Sequence, residues 1–245
     1  PTGWLSIDGN LSYDRSDRHT FFYFPRGKKT NQQTLVGGSV QRGSGETTAI
    51  NGSVSANLRR SFGDLATRLT LRALMESEDY TYFQSVASSL QADGVPDLDA
   101  GSVPSIGGNT EEIRSEGYFA ILGLDYAGRY IVDALVRRDG SSLFGPDERW
   151  HTYYRGSFAW RMAEESWWPL EPVTEFKLRY SIGTAGGRPD YLNQYETYAF
   201  SAGGRLTKGA LGNRELKPER ATEQEFGIDA VLYDRVSLQL NYARV

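Results

Sequence analysis

Apolar and polar residues alternate with a period of two through most of this chain. That pattern restricts it to extended strands with two chemically different faces. In "WLSIDGNLSY" the residues Leu5, Ile7, Gly9, Leu11 and Tyr13 oppose Ser6, Asp8, Asn10 and Ser12. "INGSVSANLR" sets Ile50, Gly52, Val54, Ala56 and Leu58 against Asn51, Ser53, Ser55, Asn57 and Arg59. "LATRLTLRALM" sets Leu69, Leu71, Ala73 and Met75 against Arg68, Thr70 and Arg72. Further strands read at about 116–126, 130–138, 151–162, 174–183, 223–232 and 235–245, giving nine in all. Most approach the ~9–11 residues that a tilted strand needs to cross a bilayer.

The connections alternate as well. Short ones stand at 61–64, 127–129, 163–173 and 233–234, and long ones at about 14–46, 77–115, 139–150 and 184–222. Tight turns on one side and extended loops on the other are the pattern of a transmembrane barrel. A soluble sandwich alternates in the same way, so periodicity alone leaves open which face is buried. Trp4, Tyr13, Tyr118, Tyr126, Tyr130, Trp150, Trp160, Phe176 and Tyr242 fall near strand ends, where they suit either interfacial girdles or ordinary strand packing. Residues 90–112, rich in Gly, Pro, Ser and Asp, are read as one long outer loop, with no domain boundary over residues 1–245.

Composition narrows the chemistry. The 245 residues include no Cys, which excludes disulfides and thiolate metal sites, and a net charge of −4 gives no basis for nucleic-acid binding. No apolar run approaches the ~18 residues of a spanning helix, a test that is blind to barrels. No His-x-x-x-His pair, GxSxG elbow, Walker A or GxGxxG occurs, and His19 and His151, the only histidines, fall in separate loops or loop edges. The acidic pairs Glu111-Glu112, Asp147-Glu148 and Glu164-Glu165 read as solvated loop charges, because neighbours in an extended chain point apart. "DGVPDLD" at 93–99 lacks the ligand order of a calcium loop. Catalytic residues, metal ligands and cofactors are therefore all read as none. Under a barrel reading Arg59, Arg68, Arg72, Asp133, Arg137, Arg155, Arg161, Lys177, Arg179 and Asp229 point inward, into a charged lumen that is wet or plugged.

Two stretches carry a more specific signal. "RRDGSSLFGPDERW" presents Arg137, Arg138, Asp139, Gly140, Ser141 and Ser142, then Phe144-Gly145 and Arg149-Trp150. "LKPERATEQEFGID" presents Leu216 to Glu219, Thr222, Glu225 and Phe226 to Asp229. With "FAWRMAEESWW" and "EFKLRYSIGTAGG" between them, they resemble the C-terminal half of the SusC/RagA family of TonB-dependent outer-membrane transporters. The resemblance covers about residues 115–245, and residues 1–114 match only in style.

The resemblance implies an all-β, antiparallel transmembrane β-barrel, of which this chain supplies about nine strands of a larger, 22-stranded whole. Neither a plug nor a TonB box is read in residues 1–245, so the chain is expected to be a fragment that does not transport alone. Family members import oligosaccharides or peptides through the outer membrane. Their partners are the TonB–ExbB–ExbD complex, reached through the N-terminal region, a SusD-like surface lipoprotein and outer-membrane lipid. A receptor or adhesin barrel without uptake is the alternative. A soluble β-sheet protein that binds or cleaves glycans is a third reading, against which the missing catalytic constellation argues.

Residues 139–149 are expected to form an outer hairpin loop in which Gly140, Gly145 and Pro146 set turns. Arg138, Asp139, Asp147 and Arg149 are expected to pair within it. Substrate contact is expected in the long loops instead, at Tyr80, Tyr82 and Phe83 and at Tyr191, Asn193, Tyr195 and Tyr198. Their flat apolar faces suit sugars, and packing between loops is the competing explanation.

Overall fold

The computed structural model describes residues 3–27, 37–200 and 204–245. Its strands are β1 (Leu5–Phe24), β2 (Ser39–Phe62), β3 (Leu65–Leu90), β4 (Gly101–Tyr126), β5 (Tyr130–Ser141) and β6 (Trp150–Arg161). They continue with β7 (Val173–Gly186), β8 (Tyr198–Phe200), β9 (Leu206–Lys208), β10 (Arg220–Leu232) and β11 (Val236–Arg244). Nine form one antiparallel sheet in the order β1-β2-β3-β4-β5-β6-β7-β10-β11, and β8 and β9 form a separate hairpin. The sheet is open, with β1 and β11 at its two edges. Among the described residues, no helix is long and apolar enough to cross a membrane.

The nine expected strands are present, but four outgrow their expected lengths. β1 to β4 run 20 to 26 residues, so they occupy most of what reads as loop at 14–46 and 77–115. Residues 28–36 of the first of those loops lie outside the described residues. The stretch 90–112 is mainly the start of β4, after a short turn and one 3₁₀ turn at Leu98–Ala100. The physical reason is that a strand can continue with polar residues on both faces, so apolar alternation fades while pairing persists. His19 accordingly sits on β1, and its Nδ1 lies 3.4 Å from Ser44 Oγ.

Packing gathers the chain into two compact units, one made of 1–11, 52–75 and 114–245 and the other of 12–51 and 76–113. In the second unit, Val40, Ala87 and Leu90 are buried and the hairpins are pinned by polar links. Arg15 Nη2 reaches Glu46 Oε2 at 3.0 Å, and Tyr23 Oη donates to Asp93 Oδ1 at 3.0 Å. Arg42 pairs with Asp97 at 3.7 Å. Asp93 and Asp97 are thus engaged by protein donors, and no metal-binding group of three or more His, Asp or Glu occurs among the described residues.

The first unit shows two opposite faces. From β4 to β11 the pairing aligns Leu122 with Ala134, Val132 with Phe158, Phe158 with Tyr180, Tyr180 with Phe226 and Phe226 with Tyr242. That whole face is apolar and open: Tyr118 is 50% exposed, Phe158 43% and Leu240 55%. Only Leu143, Phe144 and Ala230 are buried apolar residues among those described in this unit. A soluble domain of this size buries far more of its apolar surface.

Aromatic side chains border this face at both ends. Near the short turns, Tyr126, Tyr130, Trp160, Trp167, Trp168 and Phe176 form an unbroken chain of ring contacts with centroids 5.3 to 6.3 Å apart. At the other end Tyr118 stacks on Trp150 at 6.0 Å. The eight steps from Tyr118 to Tyr126 span ~26 Å at the rise of a β-strand. These nine residues match the ~9–11 that a tilted strand needs to cross a bilayer.

The short turns follow local chemistry. At the β4–β5 turn, Ala127 and Gly128 take φ of 56° and 69°, and Arg129 N donates to Tyr126 O at 3.0 Å. Tyr233 and Asp234 do the same between β10 and β11, at 51° and 52°. Paired left-handed residues match the twist of the flanking strands.

Candidate functional site

The alternate residues of the same strands build a charged face. Asp229 on β10 accepts two hydrogen bonds from the Arg179 fork, at 2.9 and 2.8 Å, and one ion pair from Lys177 Nζ at 2.9 Å. Arg179 Nη2 reaches on to Asn241 Oδ1 at 2.9 Å. Arg68 Nη2 similarly meets Asp133 Oδ1 at 3.4 Å. In each case a long guanidinium crosses a strand over a glycine. A Cβ at Gly227 would lie 2.8 Å from the Arg179 guanidinium carbon, and one at Gly123 would lie 3.0 Å from Arg68 Nη2. Lys177, Arg179 and Asp229 therefore share one face, and Arg68 and Asp133 stand on it too. Arg137, Arg155 and Arg161 follow from the same register. Arg72 donates to Ser53 Oγ at 3.3 Å.

The first motif stretch is held by contacts far from it in sequence. Ser142 Oγ accepts from Arg114 N at 3.0 Å, and Ser115 Oγ donates to Ser141 Oγ at 3.3 Å. Leu143 and Phe144 are buried beneath a 3₁₀ turn at Pro146–Glu148, and Phe144 meets the His151 ring edge-on at 4.9 Å. His151 lies on β6 and its Nε2 is 2.6 Å from Glu148 O.

The loop between β7 and β10 then closes over it. Gln194, itself buried, donates to Ser142 O at 2.5 Å, and Lys217 Nζ stands 3.1 Å from Glu148 Oε1. Gly145 packs against the Arg214 carbonyl so tightly that a Cβ there would overlap it. The two motifs, distant in sequence, thus meet.

The expected pairing of Arg138, Asp139, Asp147 and Arg149 within that loop does not form. Asp139 accepts from Arg137 Nε at 2.6 Å, while Arg138 lies 5.4 Å over the Trp150 ring. Asp139 and Arg137 stand two residues apart on one strand face, where a cross-loop partner cannot compete with so close a neighbour. Gly140 faces the Trp150 ring, which covers the strand where a side chain would stand.

Beside this lock lies a cleft of about 300 Å³ on the charged face. Its wall includes Phe119, Arg137, Asp139, Tyr153, Arg155 and Arg188, and its floor is the small-residue run Ala185, Gly186 and Gly187. Arg137 lies 4.9 Å over the Phe119 ring.

The short-turn end holds a second cluster that the sequence reading missed. The Glu165 carboxylate, 7% exposed, accepts from Tyr130 Oη at 2.6 Å, Trp160 Nε1 at 3.0 Å and Arg129 Nη1 at 2.8 Å. The hydrogen bonds from Tyr130 and Trp160, followed by the Arg129 charge, hold its pKa below the ordinary carboxylate value. Glu164, by contrast, is exposed and pairs with Arg161 at 3.1 Å. Glu165 is thus no solvated loop charge. Its signal in sequence is its position between aromatic strand ends, with Arg129 at the neighbouring turn.

The proposed contact residues separate. Tyr80, Tyr82 and Phe83 lie on β3 and not in a loop. Tyr80 and Tyr82 stack at 6.4 Å and lie across Gly45, with Tyr82 also against Gly43, while Phe83 is exposed on the opposite strand face. Tyr191 and Tyr195 come together at 5.6 Å around the 3₁₀ turn Tyr191–Gln194. Asn193 gives its carbonyl to Asn213 N at 2.9 Å. Tyr198 lies apart on β8 and donates to Glu196 at 2.8 Å.

A wall with one exposed, aromatic-bordered apolar face and one ion-paired face is a section of a transmembrane β-barrel. The chain belongs to the TonB dependent receptor-like, beta-barrel family, whose model matches residues 1–244. It is 33% identical over 160 residues to a TonB-dependent receptor of Formosa agariphila, covering 59% of this chain and 16% of that protein. It is 30% identical over 125 residues to the TonB-dependent receptor SusC of Bacteroides thetaiotaomicron, covering 46% of this chain and 12% of SusC. The chain thus spans 12 to 16% of the length of these curated relatives.

Among solved structures, the RagAB peptide transporter superposes with a TM-score of 0.82 at 16% identity, over 99% of this chain and 28% of that one. The siderophore receptor PiuA of Acinetobacter baumannii gives 0.55 at 12%, over 99% and 38%. These two are likenesses of fold. The SusC/RagA resemblance read from the motifs is borne out, and the family is one of transporters and receptors.

Proposed function

We propose that residues 1–245 serve as one section of the barrel wall of an outer-membrane transporter that imports oligosaccharides or peptides, energised through TonB. The observation that carries this reading is the two-faced sheet: an apolar band ~26 Å long along its strands backed by a face of interlocked Arg, Lys and Asp. Such a face suits a polar passage or a polar plug, and the lipid-sized band suits a membrane. The RagAB peptide transporter suggests peptides, and the SusC/RagA resemblance implies oligosaccharides as the other cargo class. A SusD-like lipoprotein above the outer loops and the TonB–ExbB–ExbD complex below are the partners of this reading.

Tyr191 and Tyr195 are its foremost cargo contacts, because their paired rings stand on the turn whose Gln194 reaches the motif loop. Tyr80, Tyr82, Phe83, Asn193 and Tyr198 are further candidates. The motif residues Arg137 to Ser142, with Phe144, Gly145, Arg149 and Trp150, act as structure. The test is uptake by the whole parent transporter of labelled oligosaccharides and peptides, with and without TonB. TonB-dependent uptake of either class supports the reading. Surface binding that never depends on TonB overturns it in favour of a receptor or adhesin.

A further inference from the structure

We propose that the cleft beside Arg155 is a subsite for a carboxylate carried by the cargo, an inference that rests on the importer reading above. The argument begins with unbalanced charge. Of the described residues lining the cleft, Asp139 is the only carboxylate, and Arg137 already holds it at 2.6 Å. Arg155 is exposed, and its side chain has no hydrogen-bond or ion-pair partner among the described residues. Arg188 stands in the same wall. With Asp139 committed to Arg137, the Arg155 guanidinium gives the cleft a positive potential, which draws and orients an anion. A guanidinium fork matches a carboxylate with two parallel hydrogen bonds.

The backbone beneath is shaped for this. Arg155 pairs across the strands with Gly183, and a Cβ on that glycine would lie 3.4 Å from Arg155 Cγ. The Arg155 stem therefore lies along the sheet toward the small-residue run of "GTAGG". The Tyr153 hydroxyl occupies the space a side chain at Gly186 would fill. Any side chain at 186 displaces that hydroxyl, whereas a Cβ at 183 would only touch the Arg155 stem. The glycines that look like turn residues in sequence thus clear the floor of a polar cleft. At about 300 Å³ it holds one or two units of an oligomer. Phe119 and Leu135 add an apolar wall for the ring or stem that carries the acid.

The experiment uses the whole parent transporter and equilibrium binding of two matched probe pairs. One pair is an oligogalacturonate and a neutral oligogalactose of equal length. The other is a glutamate-rich peptide and its glutamine counterpart. The expected result is a preference for the acidic member of one pair, which also identifies the source of the carboxylate. Arg155→Gln then weakens that probe about tenfold and leaves its neutral partner unchanged. Arg155→Lys recovers part of the loss, because the charge returns without the fork. Asp139→Asn strengthens acidic binding by releasing Arg137.

Raising salt from about 0.1 to about 1 M weakens the acidic probe alone, a readout that needs no variant to fold. Equal losses for acidic and neutral probes overturn the subsite. So does an Arg155→Gln protein with lower thermal stability and unchanged affinities, since the carboxylate then comes from the transporter itself. TonB-dependent uptake without any acid preference defeats this inference while leaving the importer reading standing.

Discussion

Gly145 and Arg214 touch backbone to backbone: the space where a Cβ at 145 would stand is filled by the Arg214 carbonyl. Gly145 has φ of −57°, so glycine is required there for close approach and not for an unusual backbone angle. Around that contact the Glu148–Lys217 pair and the Gln194–Ser142 hydrogen bond join the β5–β6 loop to the β7–β10 loop. The outer end of this sheet is therefore held by a loop on a loop.

Gly145→Ala forces these loops apart. The expected cost is about 1–3 kcal/mol, as for overpacking, with faster proteolysis between residues 187 and 219. Lys217→Ala is the contrast, at no more than about 0.5 kcal/mol for an exposed ion pair. Thermal denaturation and limited proteolysis of the whole protein measure both. Equal sensitivity of the two variants would contradict the lock.

Leu122 and Ala134 pair on the apolar face midway between the aromatic rows. Leu122→Arg places a charge at mid-bilayer and is expected to cost about 2–4 kcal/mol of folding free energy in lipid. Ser157→Arg, on the charged face, is expected to cost little. Folding titrations in bilayers distinguish them, and a reversed order would assign the faces wrongly.

Asp229 pairs with both Lys177 and Arg179. Asp229→Ala leaves two partly buried cations facing each other, an expected loss of about 1–3 kcal/mol. Gly227→Ala is milder, roughly 1 kcal/mol, because it only pushes the Arg179 fork off Asn241. A double variant that also replaces Arg179 should recover part of the Asp229→Ala loss.

Glu165 makes the short-turn end sensitive to acid. Its carboxylate pKa is lowered in the folded state, chiefly by the hydrogen bonds from Tyr130 and Trp160. The unfolded chain then binds more protons in mildly acidic solution. The stabilisation is full above the unfolded carboxylate pKa, about 4.3, and is lost as pH falls through the lowered folded value. Glu165→Gln should therefore melt earlier than the parent at neutral pH and converge with it in acid. A gap between the two that is constant over this range would rule the mechanism out.

The strands that cross the apolar band were legible because lipid on one face and charge on the other enforce strict alternation. β5, β6, β7, β10 and β11 begin and end within a few residues of where "RYIVDALV", "EFKLRY" and "VSLQLNY" place them. The turns at Ala127-Gly128 and Tyr233-Asp234 were legible for the same local reason. The outer halves of β1 to β4 were not. In "RSDRHT" and "SEDYTY" both faces are polar, so the period-two signal vanishes while backbone pairing continues.

The sequence by itself determined the nine strands of the large sheet, the sign of each face and the motifs, because each depends on residues a few positions apart. Only the tertiary structure decided which partners those residues have. It drew Tyr80 and Tyr82 onto the glycines of a neighbouring strand, took Asp139 for Arg137, and folded Glu165 under two aromatic donors. It also set Gly145 against Arg214 and left Arg155 without a partner among the described residues. Contacts of that kind depend on which loop lies over which and on the room a missing Cβ leaves. Neither is written in the spacing of residues along a strand.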